Sequence, residues 1–427
     1  MGEIDRTTGY WRPELETSDP QARQEYLDGK VAEIVAHAYA HAPGFKAKMD
    51  SVGAQPGDVT KVADLARLPI TEKSDLVKIQ QADVPFGGLM AGDMSHVRRI
   101  YVSPGPIYEP GDRAYADDRW TQALYAGGFR PGDIAQVTFN FNLVPFAFNL
   151  DESLNRLGCV SIPAGVGNTE LQVQIMKDLQ VQGYLGTPSF LAALADKAEA
   201  LGYDLHKDLN LQVAFVAAEM LPESLRTSLQ ERLGMVIRQS YGTAELNCLS
   251  FECQHMGGMH LAQDCVVEVM DPQSGQPVEP GEVGEVVATI FDKTYPLIRL
   301  GTGDLTSLTY DTCACGRTAP KMTGVLGRVD QVTKVRGMFV HPSGVQQVAA
   351  KFPEVKMYQL VVTREANQDV MTLACELADP SADREMLRSG LEKEIKEVLR
   401  VKGQVNFQEP GSLPEGCKVI DDRRKWD

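Results

Sequence analysis

The chain has 427 residues, 43% of them hydrophobic, and a formal net charge of −16. That is enough apolar material for more than one core, since single cores stop growing beyond roughly 250–300 residues. The negative balance argues against a nucleic-acid partner, whose phosphates attract basic surfaces, and no apolar run reaches the ~20 residues of a membrane span. The opening Met1-Gly2-Glu3-Ile4-Asp5-Arg6 lacks an apolar signal core, and eight cysteines over this length make no disulfide scaffold. A reduced, cytoplasmic setting is expected, and there clustered cysteines more often bind metal.

In chain order, residues 21–50 carry a helical pattern, with Tyr26, Val31, Ile34, Val35 and Ala38 near the 3.6-residue period. His37 and His41 lie one turn apart on it. With no carboxylate or Cys beside them they read as ordinary surface residues more readily than as a metal pair. Leu68-Pro69-Ile70-Thr71-Glu72-Lys73 reads as a turn into a helix. Residues 98–103 read as a strand entering a loop, Pro104 to Gly111, and residues 132–139 as a turn and strand. The run Phe139-Asn140-Phe141-Asn142-Leu143-Val144-Pro145-Phe146-Ala147-Phe148 reads first as core. Residues 157–163 read as a buried strand, and Asn168 caps the helix that follows.

Residues 183–189, 213–219 and 233–238 read as further strands, separated by helical stretches. Strands alternating with helices over 130–245 predict a doubly wound parallel sheet, whose ligands bind at the carboxyl ends of the strands. Ala217, Ala218 and Glu219 fall at one such end. Tyr241, Gly242, Thr243 and Glu245 fall at another, where the strand is expected to stop at Tyr-Gly-Thr. Gly lets a backbone come close to a ligand. The Thr hydroxyl can bond a phosphate oxygen, and the Glu can take a hard cation such as Mg²⁺.

Cys253, His260, Cys313 and Cys315 flank an apparent β-rich segment, residues 261–298. Cys313-Ala314-Cys315-Gly316 is a knuckle that sets two thiolates on one tight turn. Together the four would complete a closed Cys₃His site for structural Zn²⁺; His255 competes for the imidazole position, and four free thiols are the plain alternative. Residues 295–300 read as a strand followed by the turn Gly301-Thr302-Gly303-Asp304. In the last hundred residues, 334–340, 355–363 and 369–377 read as strands, and 343–351 and 383–399 as helices, an α+β unit of ordinary domain size.

In this order, Tyr241-Gly242-Thr243-Ala244-Glu245, Gly301-Thr302-Gly303-Asp304, Gly327-Arg328-Val329-Asp330, Lys334-Val335-Arg336-Gly337 and Leu413-Pro414-Glu415-Gly416-Cys417-Lys418 resemble the motifs of the adenylate-forming ligases, the acyl-CoA synthetase superfamily. The segment from Leu68 resembles the Leu-Pro-x-Thr-x-Lys-x-x-Leu of its phenylacetate-CoA ligase-like branch. The resemblance runs from about Leu68 to the C-terminus. It implies an α/β adenylate-forming ligase fold, with a large N-terminal domain of doubly wound sheets, residues 1–327, and a small, mobile α+β C-terminal domain, residues 328–427.

It further implies ATP-dependent activation of a carboxylic acid, aryl or apolar, to an acyl-adenylate, then transfer to CoA with AMP released. By that resemblance Lys418, Thr243 and Glu245 are catalytic, with Glu245 on Mg²⁺. Ser103, Gly105, Ala218, Glu219, Tyr241, Gly242, Asp304 and Arg328 touch the nucleotide, Asp304 taking the ribose hydroxyls. Phe141, Phe146 and Ala217 line the acid pocket, and Asp330 is the hinge. Small-molecule acid, ATP and CoA are then the partners, with a homodimer left open.

The chain departs from the family pattern in the phosphate loop, residues 103–110. Pro106 and Ile107 stand for two hydroxyl residues, Tyr108 for a glycine and Glu109 for a lysine. Pro104 and Pro106 remove N–H donors, and Glu109 is expected to set a negative charge where a triphosphate would lie. Two other readings share the remaining motifs: a nucleotide- or acyl-CoA-binding relative with impaired ATP cleavage, and an adenylating enzyme with a non-CoA acceptor.

Overall fold

The computed structural model describes residues 4–112, 117–329, 333–335, 338–340, 342–365, 368–379, 381–414 and 416–424. They form two compact units. The first comprises residues 1–302 and 307–324, the second residues 303–306 and 325–427.

The first unit is built on a nine-stranded sheet. Its order is Leu308–Thr309, Lys321–Met322, Met259–Leu261, Asn247–Phe251, Val236–Thr243, Val213–Val216, Gly183–Gly186, Ile134–Val137 and Val160–Pro163. From Val236–Thr243 to Val160–Pro163 the neighbours run parallel. Alternate residues of Val213–Val216 enter different cores: Val213 and Phe215 pack with Trp120, Leu124, Leu150 and Leu154, while Ala214 and Val216 pack with Val173, Leu191 and Leu229. The period of two sends successive side chains to opposite faces, so helices cover both. This is the doubly wound sheet expected from the alternation of elements. A third core, with Val31, Ile34, Val35 and Phe45, holds the N-terminal helices.

Several local expectations are corrected. The N-terminal helical stretch is two helices, Pro20–His41 and Pro43–Asp50, because Pro43 starts a new helix and Ala42 before it is extended. Val160–Pro163 is an edge strand, with Val160 57% exposed, not a buried one. Asn168 stands at the N-cap of Thr169–Asp178, but in left-handed conformation with no side-chain cap bond. The expected loop from Pro104 to Gly111 is mostly strand. Ile107–Asp112 pairs back on Val97–Ser103, with Ser103 opposite Ile107 and Tyr101 opposite Glu109. Only Pro104, Gly105 and Pro106 remain to turn the chain.

The Tyr-Gly-Thr expected past a strand end lies inside Val236–Thr243. That strand pairs in parallel with Val213–Val216 as far as Gln239, then antiparallel with Asn247–Phe251 from Ser240 on. Gly242 makes the second pairing possible: a Cβ there would stand 2.2 Å from the Asn247 carbonyl oxygen. Gly301, Thr302, Gly303 and Asp304, expected as a turn, lie in the strand Leu300–Thr306.

The second unit has a four-stranded sheet in the order Gln404–Gln408, Gln368–Leu377, Val355–Glu365, Ile420–Asp422. Its core joins Leu360, Val362, Leu373 and Ile420 to Leu391 and Ile395 of the helix Arg384–Leu399. The expected strand 334–340 is two short strands, Thr333–Val335 and Met338–Val340, paired with each other. Residues 304–305 pair antiparallel with residues 327–328, which is why 303–306 belongs to this unit. The hinge residue Asp330 lies outside the described residues, as do Arg336, Gly337 and Glu415.

Candidate active site

Thr243 and Asn247 pair across a tight turn, and the turn aims Glu245 inward. The Thr243 hydroxyl accepts the Leu246 backbone N–H at 3.3 Å, which closes the turn. The Glu245 side chain is fully buried and its Oε1 takes the Lys73 ammonium at 3.0 Å. Lys73 opens the helix Lys73–Ala82 just after Thr71–Glu72, a two-residue strand held by Leu300 and Gly301. Ser103 Oγ donates to the same oxygen at 3.4 Å. Glu245 Oε2 is buried with no hydrogen-bond partner.

Glu109 lies in the same corner, not out in a loop. It is 5% exposed, and its Oε1 is also buried without a partner. Burial first, and the Glu245 charge second, push its carboxyl up to about 8, against the opposing pull of Ser103 and Lys73. The carboxyl expected to face a triphosphate is turned into this corner instead. Gly105 sits in the turn above, where a Cβ would meet Ile107 Cγ1 at 2.8 Å and Val77 at 3.1 Å.

Glu109 and Glu245 border a cleft that Tyr101, Trp120, Asp292 and Tyr295 also line. Asp292 accepts the Thr294 and Tyr295 backbone N–H groups, and burial pushes its carboxyl up to about 6. The phenylalanine run reaches this cleft through Trp120 and packs edge-on within itself. Phe146 meets Trp120 at 5.1 Å and Phe139 at 4.6 Å between centroids, and Phe141 meets Phe148 at 5.1 Å. Phe141 and Phe146 stay only partly buried against the core.

Tyr241 is buried and donates to Thr302 Oγ1 at 3.2 Å. At the end of Val213–Val216, Ala217 is buried and Ala218 takes φ +68°, a left-handed conformation that costs a residue with a Cβ roughly 1–2 kcal/mol. Such strain gathers at ligand sites and turns. Glu219 is exposed and accepts Ser189 N–H and Oγ at 3.2 and 2.9 Å.

Other residues singled out by the sequence, Asp304, Arg328 and Lys418, belong to the second unit. Asp304 accepts Arg328 Nη1 at 2.9 Å, and Arg328 lies over Gly303, where a Cβ would meet its Nη2 at 2.8 Å. Lys418 is exposed, and its carbonyl accepts Gln359 Nε2 at 2.9 Å. The turn before it hangs on Glu376, whose carboxylate accepts the Gly411 and Leu413 backbone N–H groups at 3.0 and 2.6 Å.

Apart from this site, Cys253, His260, Cys313 and Cys315 come together with all four ligand atoms within 4.8 Å. Cys253 Sγ is 3.7 Å from Cys313 Sγ, and Cys315 Sγ is 3.4 Å from His260 Nε2. The other ring nitrogen, Nδ1, is 3.2 Å from the Ala319 carbonyl, and the Arg317 backbone N–H donates to Cys315 Sγ at 3.4 Å. Cys315 is held far below the ordinary thiol range, by the Cys253 hydrogen bond first and by His260 and Arg317 after it. His255 is not in the group, and among the described residues His37 and His41 join no such cluster. The His37 ring instead reaches the Lys293 carbonyl at 2.8 Å.

Sequence reasoning missed Lys73 as the partner of Glu245, and Glu376 as the anchor of the Lys418 turn. The signal for Lys73 was present in Thr-x-Lys; nothing local pointed to Glu376.

Comparison with known proteins follows the same lines. Residues 145–289 match the AMP-binding enzyme family, and residues 337–423 match the AMP-binding enzyme C-terminal domain. The chain is 32% identical to the phenylacetate-coenzyme A ligase of Thermus thermophilus, covering 96% of this chain and 98% of that one. It is 30% identical to the phenylacetate-coenzyme A ligase of Pseudomonas putida, covering 96% of each. Among solved structures it superposes on an open conformation of 2-hydroxyisobutyryl-CoA ligase in complex with 2-HIB-AMP and CoA. That match has TM-score 0.86 and 26% identity, over 98% of this chain and 97% of that one.

Proposed function

The chain belongs to the phenylacetate-coenzyme A ligase family of AMP-binding enzymes and is an AMP-forming acid–CoA ligase; on that premise we propose how its own residues divide the work. In the first step a carboxylate attacks the α-phosphate of ATP and pyrophosphate leaves. Two anions must meet, so the protein's contribution is mostly positioning and charge neutralisation. Thr243 offers a hydroxyl beside the phosphates, and Lys418 brings an ammonium to the carboxylate and α-phosphate. Tyr241, Gly242, Ala218 and Glu219 border the nucleotide, Asp304 takes the ribose hydroxyls, and Arg328 stands beside Asp304. In the second step CoA thiolate attacks the acyl-adenylate and AMP leaves.

The observation that carries this reading is the Glu245 corner: a fully buried carboxylate, tied on one oxygen to Lys73 and Ser103 and unpartnered on the other. An unpartnered carboxylate oxygen suits a hard divalent cation, so Mg²⁺ would be held there. When bound, it supplies positive charge to the polyphosphate and to the departing pyrophosphate.

The acid is aryl or apolar. The aromatic wall of Phe141, Phe146 and Trp120, with Ala217 at the strand end, supports that choice. Mixing the protein with ATP, Mg²⁺ and a panel of aryl and short alkyl acids, with and without CoA, tests it. AMP and an acyl-CoA should form fastest with an aryl or apolar acid. A thioester formed only with small hydroxylated acids would overturn the acid assignment, and adenylate that persists in the presence of CoA would overturn the acceptor.

We also assign Cys253, His260, Cys313 and Cys315 to a structural Zn²⁺. A tetrahedron with ~2.3 Å bonds has edges of roughly 3.8 Å, close to the 3.7 Å between Cys253 and Cys313. With His260 Nδ1–H donating to the Ala319 carbonyl, Nε2 is left free as the ligand, the usual outer-shell arrangement. Among the described residues no helix is long and apolar enough to cross a membrane. All eight cysteines are free, which suits a reduced cytoplasm.

A further inference from the structure

Two carboxyl groups and one ammonium share the buried corner at Ser103. Lys73 balances Glu245 at 3.0 Å. Glu109 is 5% exposed and has no cation of its own within ion-pair reach among the described residues. Each acid keeps one buried oxygen without a partner, Glu109 Oε1 and Glu245 Oε2. Both acids line the same cleft, with Tyr295 beside them. A second buried carboxylate next to the first is unfavourable unless something positive, a proton or a metal ion, joins the pair. The strand pairing fixes this arrangement: Glu109 sits opposite Tyr101, and Ser103 opposite Ile107, so Glu109 and Ile107 share the inward face of Ile107–Asp112.

We propose that Glu109 is a second carboxylate ligand for the divalent cation, beside Glu245, so that the two acids together would hold a hard ion such as Mg²⁺. The role rests on the adenylation reading; the binding chemistry does not. Mg²⁺ is commonly held by one or two carboxylates, keeping water and substrate phosphate for its other positions. At the position where the resembled loop carries a lysine, this chain carries an acid. It thereby exchanges a fixed side-chain cation for one taken from solution. Lys73, from a different element, neutralises Glu245.

The test uses the full-length, zinc-loaded protein and Mn²⁺ alone as the probe, without nucleotide, following free Mn²⁺ by electron paramagnetic resonance. Glu109→Gln keeps the shape of the protonated acid and removes the ligand charge. Its Mn²⁺ affinity should fall by about ten-fold or more, Glu245→Gln should lose as much, and Glu109→Asp should recover part of it. A thermal melt in chelator confirms that Glu109→Gln is folded. Wild-type affinity retained in a folded Glu109→Gln protein overturns the proposal, as does a wild type that takes up no Mn²⁺. Acid-dependent pyrophosphate release by wild type is measured separately. Its absence with Mn²⁺ binding intact would remove the adenylation reading and leave the metal site. Its presence with Mn²⁺ binding indifferent to Glu109 would do the reverse.

Discussion

Glu245 was legible in the sequence because Tyr-Gly-Thr-x-Glu pairs a close-approach glycine with a hydroxyl and an acid inside one short segment. Lys73 stood in the Thr-x-Lys segment, but its pairing with Glu245 did not show, since a salt bridge between distant segments leaves no period to read. Glu109 was read as a negative charge where a triphosphate would lie. The pairing of Ile107–Asp112 onto Val97–Ser103 instead turns it inward, where burial and Glu245 push its carboxyl up. The ion pair makes a residue-scale prediction. Lys73→Met leaves a fully buried carboxylate without its cation, so in Mg²⁺-free buffer the protein should lose about 1–3 kcal/mol. Urea unfolding measures this, and Mg²⁺ should restore part of the loss. Equal stability of the two proteins in chelator would mean that Lys73 does not balance Glu245 in solution.

At the scale of elements, the parallel strands were readable because each is a short apolar run between helical stretches. The hairpins were not. Val236–Thr243 changes partner midway, parallel on one side and antiparallel on the other, and hydrophobic pattern does not record which neighbour a strand will take. The strand Leu300–Thr306 hid behind its two glycines, which read as a turn. The cysteine knuckle was readable because ligand chemistry has its own spacing, and His260 was already preferred there over its competitor His255; the pairing of Met259–Leu261 with Asn247–Phe251 and Lys321–Met322 is what brings it to the cysteines. Freshly purified protein should carry about one Zn²⁺ per chain. Cys313→Ser and Cys315→Ser should each lose it, with a lower melting temperature and no selective loss of either half-reaction, because four protein ligands leave no open position. Metal analysis that finds no zinc in reduced wild-type protein would contradict the assignment.

At the scale of the whole molecule, the second unit was legible from the alternation in Val355–Glu365 and Gln368–Leu377. The assignment of residues 303–306 to it was not, because the last four residues of the strand Leu300–Thr306 carry no compositional mark that sets them apart. Division of labour between the units makes the next prediction. Lys418→Ala should slow adenylation by ~10²-fold or more, the scale of losing one charge-stabilising group. Conversion of a supplied acyl-adenylate to the thioester should change far less. An equal fall in both half-reactions would contradict separate use of the Lys418 turn. The chain forms acyl-adenylates although prolines and Glu109 stand at the positions of the family's phosphate loop. Exchange of labelled pyrophosphate into ATP tests that most directly. Exchange should require an acid and Mg²⁺, proceed without CoA and be lost in Glu245→Gln. A wild type that binds AMP yet shows no exchange with any acid would contradict it.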